Sequence, residues 1–262
     1  MDPRATADAI VRATLALADA SLRVVHLRGL LRDSPSSELA PGLEVLCARA
    51  EQAEPRARVC LVSLVDALAW HEPELLAAVQ RLREQAAGGS LWALERLLRS
   101  PLGAGSPASA ELPKKENVPD YGKGRPLTLG ERKSLARKPD RDMLARLLLD
   151  PHPEVIHRLL ANPRLTEDDV IRIATKRPCR ADVLAEIARS EKWMHRSRVR
   201  LAIVLNPSTP LALAAPIVSL LIRQELKLVA EATALAPMIR ALCIEHLERR
   251  PPVDFDDDLR LQ

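Results

Sequence analysis

Proline decides what this chain can fold into. Twenty-one prolines are spread along 262 residues, and between them run short segments dominated by Leu, Ala and Arg. A proline inside a helix removes a backbone donor and clashes with the preceding turn, so each apolar run has to begin or end near one. The runs themselves favour helix: Leu, Ala and Arg are strong helix formers, while the aromatic residues that favour strands make up only 2% of the chain. The pattern predicts an all-α protein in which proline separates helices. Helices this short are marginal alone in water and need neighbours.

One punctuation mark recurs. "LLANPRLTEDDVIRIATKRP" runs from Leu159 to Pro178, and "IVLNPSTPLALAAPIVSLL" from Ile203 to Leu221. Superposing Asn162-Pro163 on Asn206-Pro207 sets Val155 against Val199, Leu159 against Ile203, Leu160 against Val204, Thr166 against Pro210 and Ile173 against Ile217. A residue before proline is pushed out of the helical region, so each helix is expected to stop at its Asn. Thr166 is expected to cap "EDDV", whose carboxylates suit the positive helix end. Thr209 is expected to cap the matching helix, with Pro210 at its first position. Both Asn-Pro pairs therefore read as joints between stacked helices.

The rest of the chain sorts into segments. Residues 1–100 read as a bundle of about five helices. A long amphipathic run over 5–33 comes first, then a helix broken or started by Pro41, then "PRARVCLVSLVDALAWH". A helix opened by Pro73 follows, and a last one is capped by Ser90. Residues 101–126 mix Pro, Gly, Ser and charge without apolar periodicity, which predicts a flexible linker. Its junction "YGKGRP" lacks the spacing of a phosphate-binding P-loop. Residues 127–250 form a series of short helices with Pro or capping residues at most joints, the signature of a stacked repeat. Residues 251–262 form an acidic, Pro-led tail.

The segments "DPHPEVIHRLLANPRLTEDDVIRIATKRP" and "RSRVRLAIVLNPSTPLALAAPIVSLL" resemble the leucine-rich-repeat variant and the broader HEAT-like helical repeats of bacteria. The resemblance covers about 150–221 and, more loosely, 129–250. It implies a C-terminal HEAT-like α-solenoid presenting an extended binding face. It implies no cofactor, because the cysteine cluster found in some leucine-rich-repeat variants has no counterpart here. Some HEAT-like solenoids, including the bacterial alkylpurine DNA glycosylases, bind DNA along a basic face.

Charge points to a surface. Residues 113–200 carry 21 Lys and Arg against 13 Asp and Glu, although the whole chain is only +4. Arg177, Arg180, Arg189, Lys192, Arg196, Arg198 and Arg200 cluster around Trp193 and form the candidate partner-binding surface. They read either as solvated helix faces or as a contact for an acidic protein or for nucleic-acid phosphates. Trp193 reads either as a plate for base stacking or as a plug over the end of a helix pair. Nothing points to catalysis. His152 and His157 do not have zinc-helix spacing, with His152 placed as a cap, and the carboxylates of "EDD" point in different directions. The four cysteines are scattered as small hydrophobes would be in a reducing compartment. No metal or small-molecule substrate is indicated, no run suits a membrane span, and the N-terminus lacks a secretory pattern. The expectation is a non-enzymatic, cytoplasmic, protein-binding adaptor, with nucleic-acid binding as the alternative.

Overall fold

The computed structural model describes residues 2–69, 72–99, 118–122, 124–138 and 140–250. Among the described residues there are sixteen α-helices and no strand. The first six are α1 (Pro3–Ala16), α2 (Ala20–Asp33), α3 (Ser36–Glu51), α4 (Pro55–Leu68), α5 (Pro73–Gly88) and α6 (Trp92–Leu98). Then come α7 (Leu129–Ala136), α8 (Arg141–Leu147), α9 (Pro153–Leu160), α10 (Glu167–Thr175) and α11 (Ala181–Ala188). The last are α12 (Glu191–Met194), α13 (Ser197–Val204), α14 (Leu211–Val218), α15 (Arg223–Glu231) and α16 (Pro237–Arg249). Proline opens α1, α4, α5, α9 and α16, where its missing N–H is one the helix would leave unpaired anyway.

Two compact units emerge: Met1–Leu102 together with Leu211–Gln262, and Gly103–Pro210. This division differs from the expected segment 127–250, which it splits at Pro210. Helices α14 and α16 pack with the N-terminal helices: α14 lies on α6 and α4, and Glu245 of α16 pairs with Arg99 at 2.7 Å. The reason lies in burial. Helix α14 buries Ala214, Ala215, Pro216, Ile217 and Val218 in one run, so it needs cover on more than one side.

In the first unit α3 is central, touching α1, α4, α5 and α6. Gly42 sets its distance from α1, since a Cβ there would stand 2.5 Å from Thr6 Cγ2. Helix α3 continues through Pro41, where the sequence predicted a break or a start. Burial of Leu39, Leu43 and Leu46 outweighs the lost backbone bond. The run expected over 5–33 divides into α1 and α2, because Leu17 is extended and Asp19 accepts from Ser21 N at 2.8 Å and Leu22 N at 3.2 Å. Ser90 does not cap α6. Glu44 of α3 does so from across the core, accepting from Ala93 N at 3.1 Å and Leu94 N at 2.8 Å.

Beside that cap lies a charged cluster in the core. Arg96 donates to both oxygens of Glu51 at 2.8 and 2.6 Å, with side-chain exposures of 4% and 8%. His246 is 1% exposed, and neither ring nitrogen has a hydrogen-bond partner. Burial, then the guanidiniums of Arg250, Arg96, Arg99 and Arg249, push its pKa down to about 3. Glu51 Oε1 stands 3.6 Å from Nδ1, but Arg96 already holds that carboxylate, so burial and the cations prevail. The folded chain thus keeps His246 neutral, whereas the unfolded chain protonates it below about pH 6.5. Stability from this group is full above pH 6.5 and falls as pH drops toward 3, by up to ~1.4 kcal/mol per unit. Urea unfolding at pH 7.5 and pH 5 should show this loss, and His246→Leu should flatten it. An unchanged pH dependence in the variant would assign the loss to other groups.

The second unit holds α7 to α13. The expected linker over 101–126 lies for the most part outside the described residues, as does the expected tail 251–262. Its end is anchored: Tyr121 is 3% exposed and donates to Asp150 Oδ2. Asp150 also takes Arg132 Nη1 at 2.8 Å on each oxygen and His152 N at 2.9 Å. Burial, then the bond to Asp150, raise the phenol well above its ordinary range. The aromatic ring, which composition scarcely supplies, fixes the chain here. Linker character therefore does not reach Tyr121.

Candidate functional site

Two joints organise the second unit, and they are built alike. Thr128 and Glu131 form a capping box at the start of α7, and Thr166 and Asp169 form one at the start of α10. Asp169 also takes Arg141 of α8 at 2.5 and 2.8 Å, and this pairing leads the causes that hold its pKa at about 2. At the far end of each helix set stands an asparagine of an Asn-Pro pair. Asn162 Nδ2 donates to Ala136 O at 2.8 Å and Lys138 O at 3.0 Å, and Oδ1 accepts from Arg164 N at 2.9 Å. Asn206 Nδ2 donates to Ala174 O at 2.7 Å and Lys176 O at 3.1 Å, and Oδ1 accepts from Ser208 N at 2.9 Å. Both asparagines are buried, at 2% and 1%.

The last carbonyls of a helix have no partner within it. Each Asn therefore ties the open end of one helix, α7 or α10, to the end of another, α9 or α13. The joints are clamps as well as stops, a role the sequence did not disclose. The structure also corrects the expected Thr209 cap. Thr209 N bonds to Asn206 O at 3.0 Å, as Leu165 N bonds to Asn162 O at 3.2 Å, so Thr209 takes the place of Leu165. Its hydroxyl points back to Ile203 O at 2.6 Å. His152 caps α9 as expected, its Nδ1 accepting from Glu154 N at 3.2 Å.

The predicted contact surface divides on inspection of each residue. Trp193 is 4% exposed and donates from Nε1 to Leu160 O at 2.9 Å, which fits the plug and removes it as a stacking plate. Lys192 lies 4.4 Å from the centre of its ring. Arg200 is 7% exposed, donates to Met194 O at 2.7 Å, and is no surface cation. Arg180 meets Asp182 at 2.6 Å, Arg189 meets Glu186 at 2.5 Å, and Arg198 meets Asp168 at 3.1 Å. Lys192, Arg196 and Arg177 remain exposed, with Arg177 donating to Leu205 O at 2.9 Å. The local excess of Lys and Arg predicted the cluster, but neighbouring carboxylates neutralise much of it.

No protein-family model, curated protein or solved structure matches this chain. The site is therefore read from its chemistry. No group of three or more His, Cys, Asp or Glu side chains suited to a metal occurs among the described residues. Cys47, Cys60 and Cys243 are buried, and burial raises each thiol; Cys179, half-buried, is raised to about 11. A raised thiol is a poor nucleophile at neutral pH. No helix among the described residues is long and apolar enough to cross a membrane.

Cations also gather at the joints themselves, and of these only Arg177 was among the predicted contact residues. Lys138 and Arg164 are joined by backbone to the one Asn162 side chain, with Arg137 next to them. Lys176 and Arg177 occupy the corresponding place on Asn206. Arg137, Lys138, Arg164 and Arg177 are exposed and Lys176 half-exposed. A signal was present: "LTLGERKSLARKP" (127–139) and "LTEDDVIRIATKRP" (165–178) share an opening Leu-Thr and a basic close before proline. It went unread because the Asn-Pro echo runs at a spacing of 44 while this one runs at 38; the extra residues form the α12 region.

Proposed function

We propose that this chain is a non-enzymatic protein-binding adaptor whose second unit, a HEAT-like repeat module, supplies the contact surface. The observation that carries the reading is the doubled clamp. Two successive helix sets locked by the same asparagine geometry make a surface of fixed register, which lowers the ordering cost of binding. Nucleic-acid binding along the same unit is the second reading. It is favoured by the excess of Lys and Arg over 113–200 and weakened by the burial of Trp193.

Full-length chain, immobilised and crosslinked in an extract of its own source cells, tests the reading. A protein retained in stoichiometric amount, with crosslinks on residues 118–210, is the expected result. Retention of nucleic acid instead, or no protein above a heat-denatured control, would overturn it. A duplex titration distinguishes the second reading directly, because phosphate contacts make affinity fall steeply with salt.

A further inference from the structure

The geometry points to a basic edge formed by the two clamped joints, with an acidic peptide segment carrying an apolar side chain as its ligand. This rests on the adaptor reading and names the partner chemistry. Three observations converge on it. First, the cations at the joints are left without counter-charges. Arg141, Arg180, Arg189 and Arg198 each meet a carboxylate within 4 Å, yet Arg137, Lys138, Arg164, Lys176 and Arg177 meet none among the described residues. The nearest acid in sequence, Asp140, is engaged in capping α8 through Asp142 N and Met143 N.

Second, the edge is pre-organised. The clamps fix the backbone beneath Lys138, Arg164 and Lys176. Two of the side chains are steered as well, Lys176 by Leu149 O at 2.8 Å and Arg177 by Leu205 O at 2.9 Å. A guanidinium held on one side keeps other N–H groups free, and its planar fork matches a carboxylate.

Third, the edge is not purely ionic. Leu149, whose carbonyl receives Lys176, is 54% exposed. An apolar side chain beside cations suits a peptide that alternates acidic and aliphatic residues, and offers nothing to a phosphate backbone. The aromatic residues that would serve a single-stranded nucleic acid, Tyr121 and Trp193, are both buried in this unit.

The experiment uses the full chain and a fluorescein-labelled peptide of repeated Asp-Asp-Leu, with a Ser-for-Leu version and a labelled DNA duplex as parallel probes. The expected result is saturable binding of the Asp-Asp-Leu peptide, weaker by about tenfold in Arg137→Glu/Arg164→Glu and again in Arg177→Glu. Arg4→Glu/Lys227→Glu, an equal charge change on exposed residues of the first unit, should alter it less than about twofold. The Ser-for-Leu peptide and Leu149→Ser should each weaken it. Arg137→Gln/Arg164→Gln and Arg177→Gln, with helicity checked by circular dichroism, stand in for any reversal that fails to fold. Loss of binding equal in the joint and off-joint variants overturns the proposal, as does tighter binding of the duplex at equal salt. If the peptide fails while crosslinks to a partner still fall on 118–210, only this inference fails; if the crosslinks fail too, the adaptor reading goes with it.

Discussion

Replacing Asp150 by alanine should destabilise the chain by about 3–5 kcal/mol, because it leaves the Arg132 charge buried without compensation. The Asp150 side chain is fully buried and Arg132 is 7% exposed, so water cannot take over the pairing. The same substitution frees the Tyr121 hydroxyl and the His152 N–H, adding their lost bonds to the cost. The melting temperature followed by circular dichroism should fall by roughly 13–22 °C for the affected unit. The double variant Asp150→Leu/Arg132→Met should recover much of the loss, since a buried ion pair contributes little over a well-packed apolar replacement. A loss below ~1 kcal/mol in Asp150→Ala would mean that this cluster is solvated and does not anchor Tyr121.

What the sequence disclosed and what it hid follow the range of the forces involved. Helix boundaries are local, and the prolines reveal them: Pro73 and Pro153 open their helices, and Thr166 caps α10 with the acidic turn behind it. Long-range choices were not legible. Ser90 has the right side chain to cap α6, yet Glu44, almost fifty residues earlier, holds that helix end. Helices α14 to α16 show the periodicity of their predecessors, and nothing in that pattern says they belong with α4 and α6. Trp193 was ambiguous because a helix-end tryptophan looks the same whether it faces water or covers a neighbour; the bond to Leu160 O decides it. Several arginines were counted as surface charge because sequence spacing does not show which carboxylate each one meets.

The asparagines are the sharpest case. An Asn before proline is explained well enough by backbone sterics alone. That account assigns the effect to the proline and leaves the amide idle. In the structure both asparagines are buried, and each amide makes three bonds to backbone groups that have no other hydrogen-bond partner among the described residues. Substituting Asn162 or Asn206 by Asp keeps the shape but abolishes the donors and sets a carboxylate against two carbonyl oxygens. Each change should cost about 2–4 kcal/mol, the sum of unpaired buried groups and repulsion. Alanine should cost somewhat less, because it adds no charge. The proline that follows contributes chiefly through the unfolded chain, worth about 0.4–1 kcal/mol.

Urea unfolding of four single variants, Asn162→Asp, Asn206→Asp, Pro163→Ala and Pro207→Ala, separates the two accounts. The clamp predicts that both asparagine changes cost at least twice as much as the proline changes, and that Asn162→Ala and Asn206→Ala, which also remove the acceptor, speed hydrogen exchange at the amides of Arg164 and Ser208. Asparagine changes that are tolerated while the proline changes unfold the unit would contradict it, and would return the joints to simple punctuation.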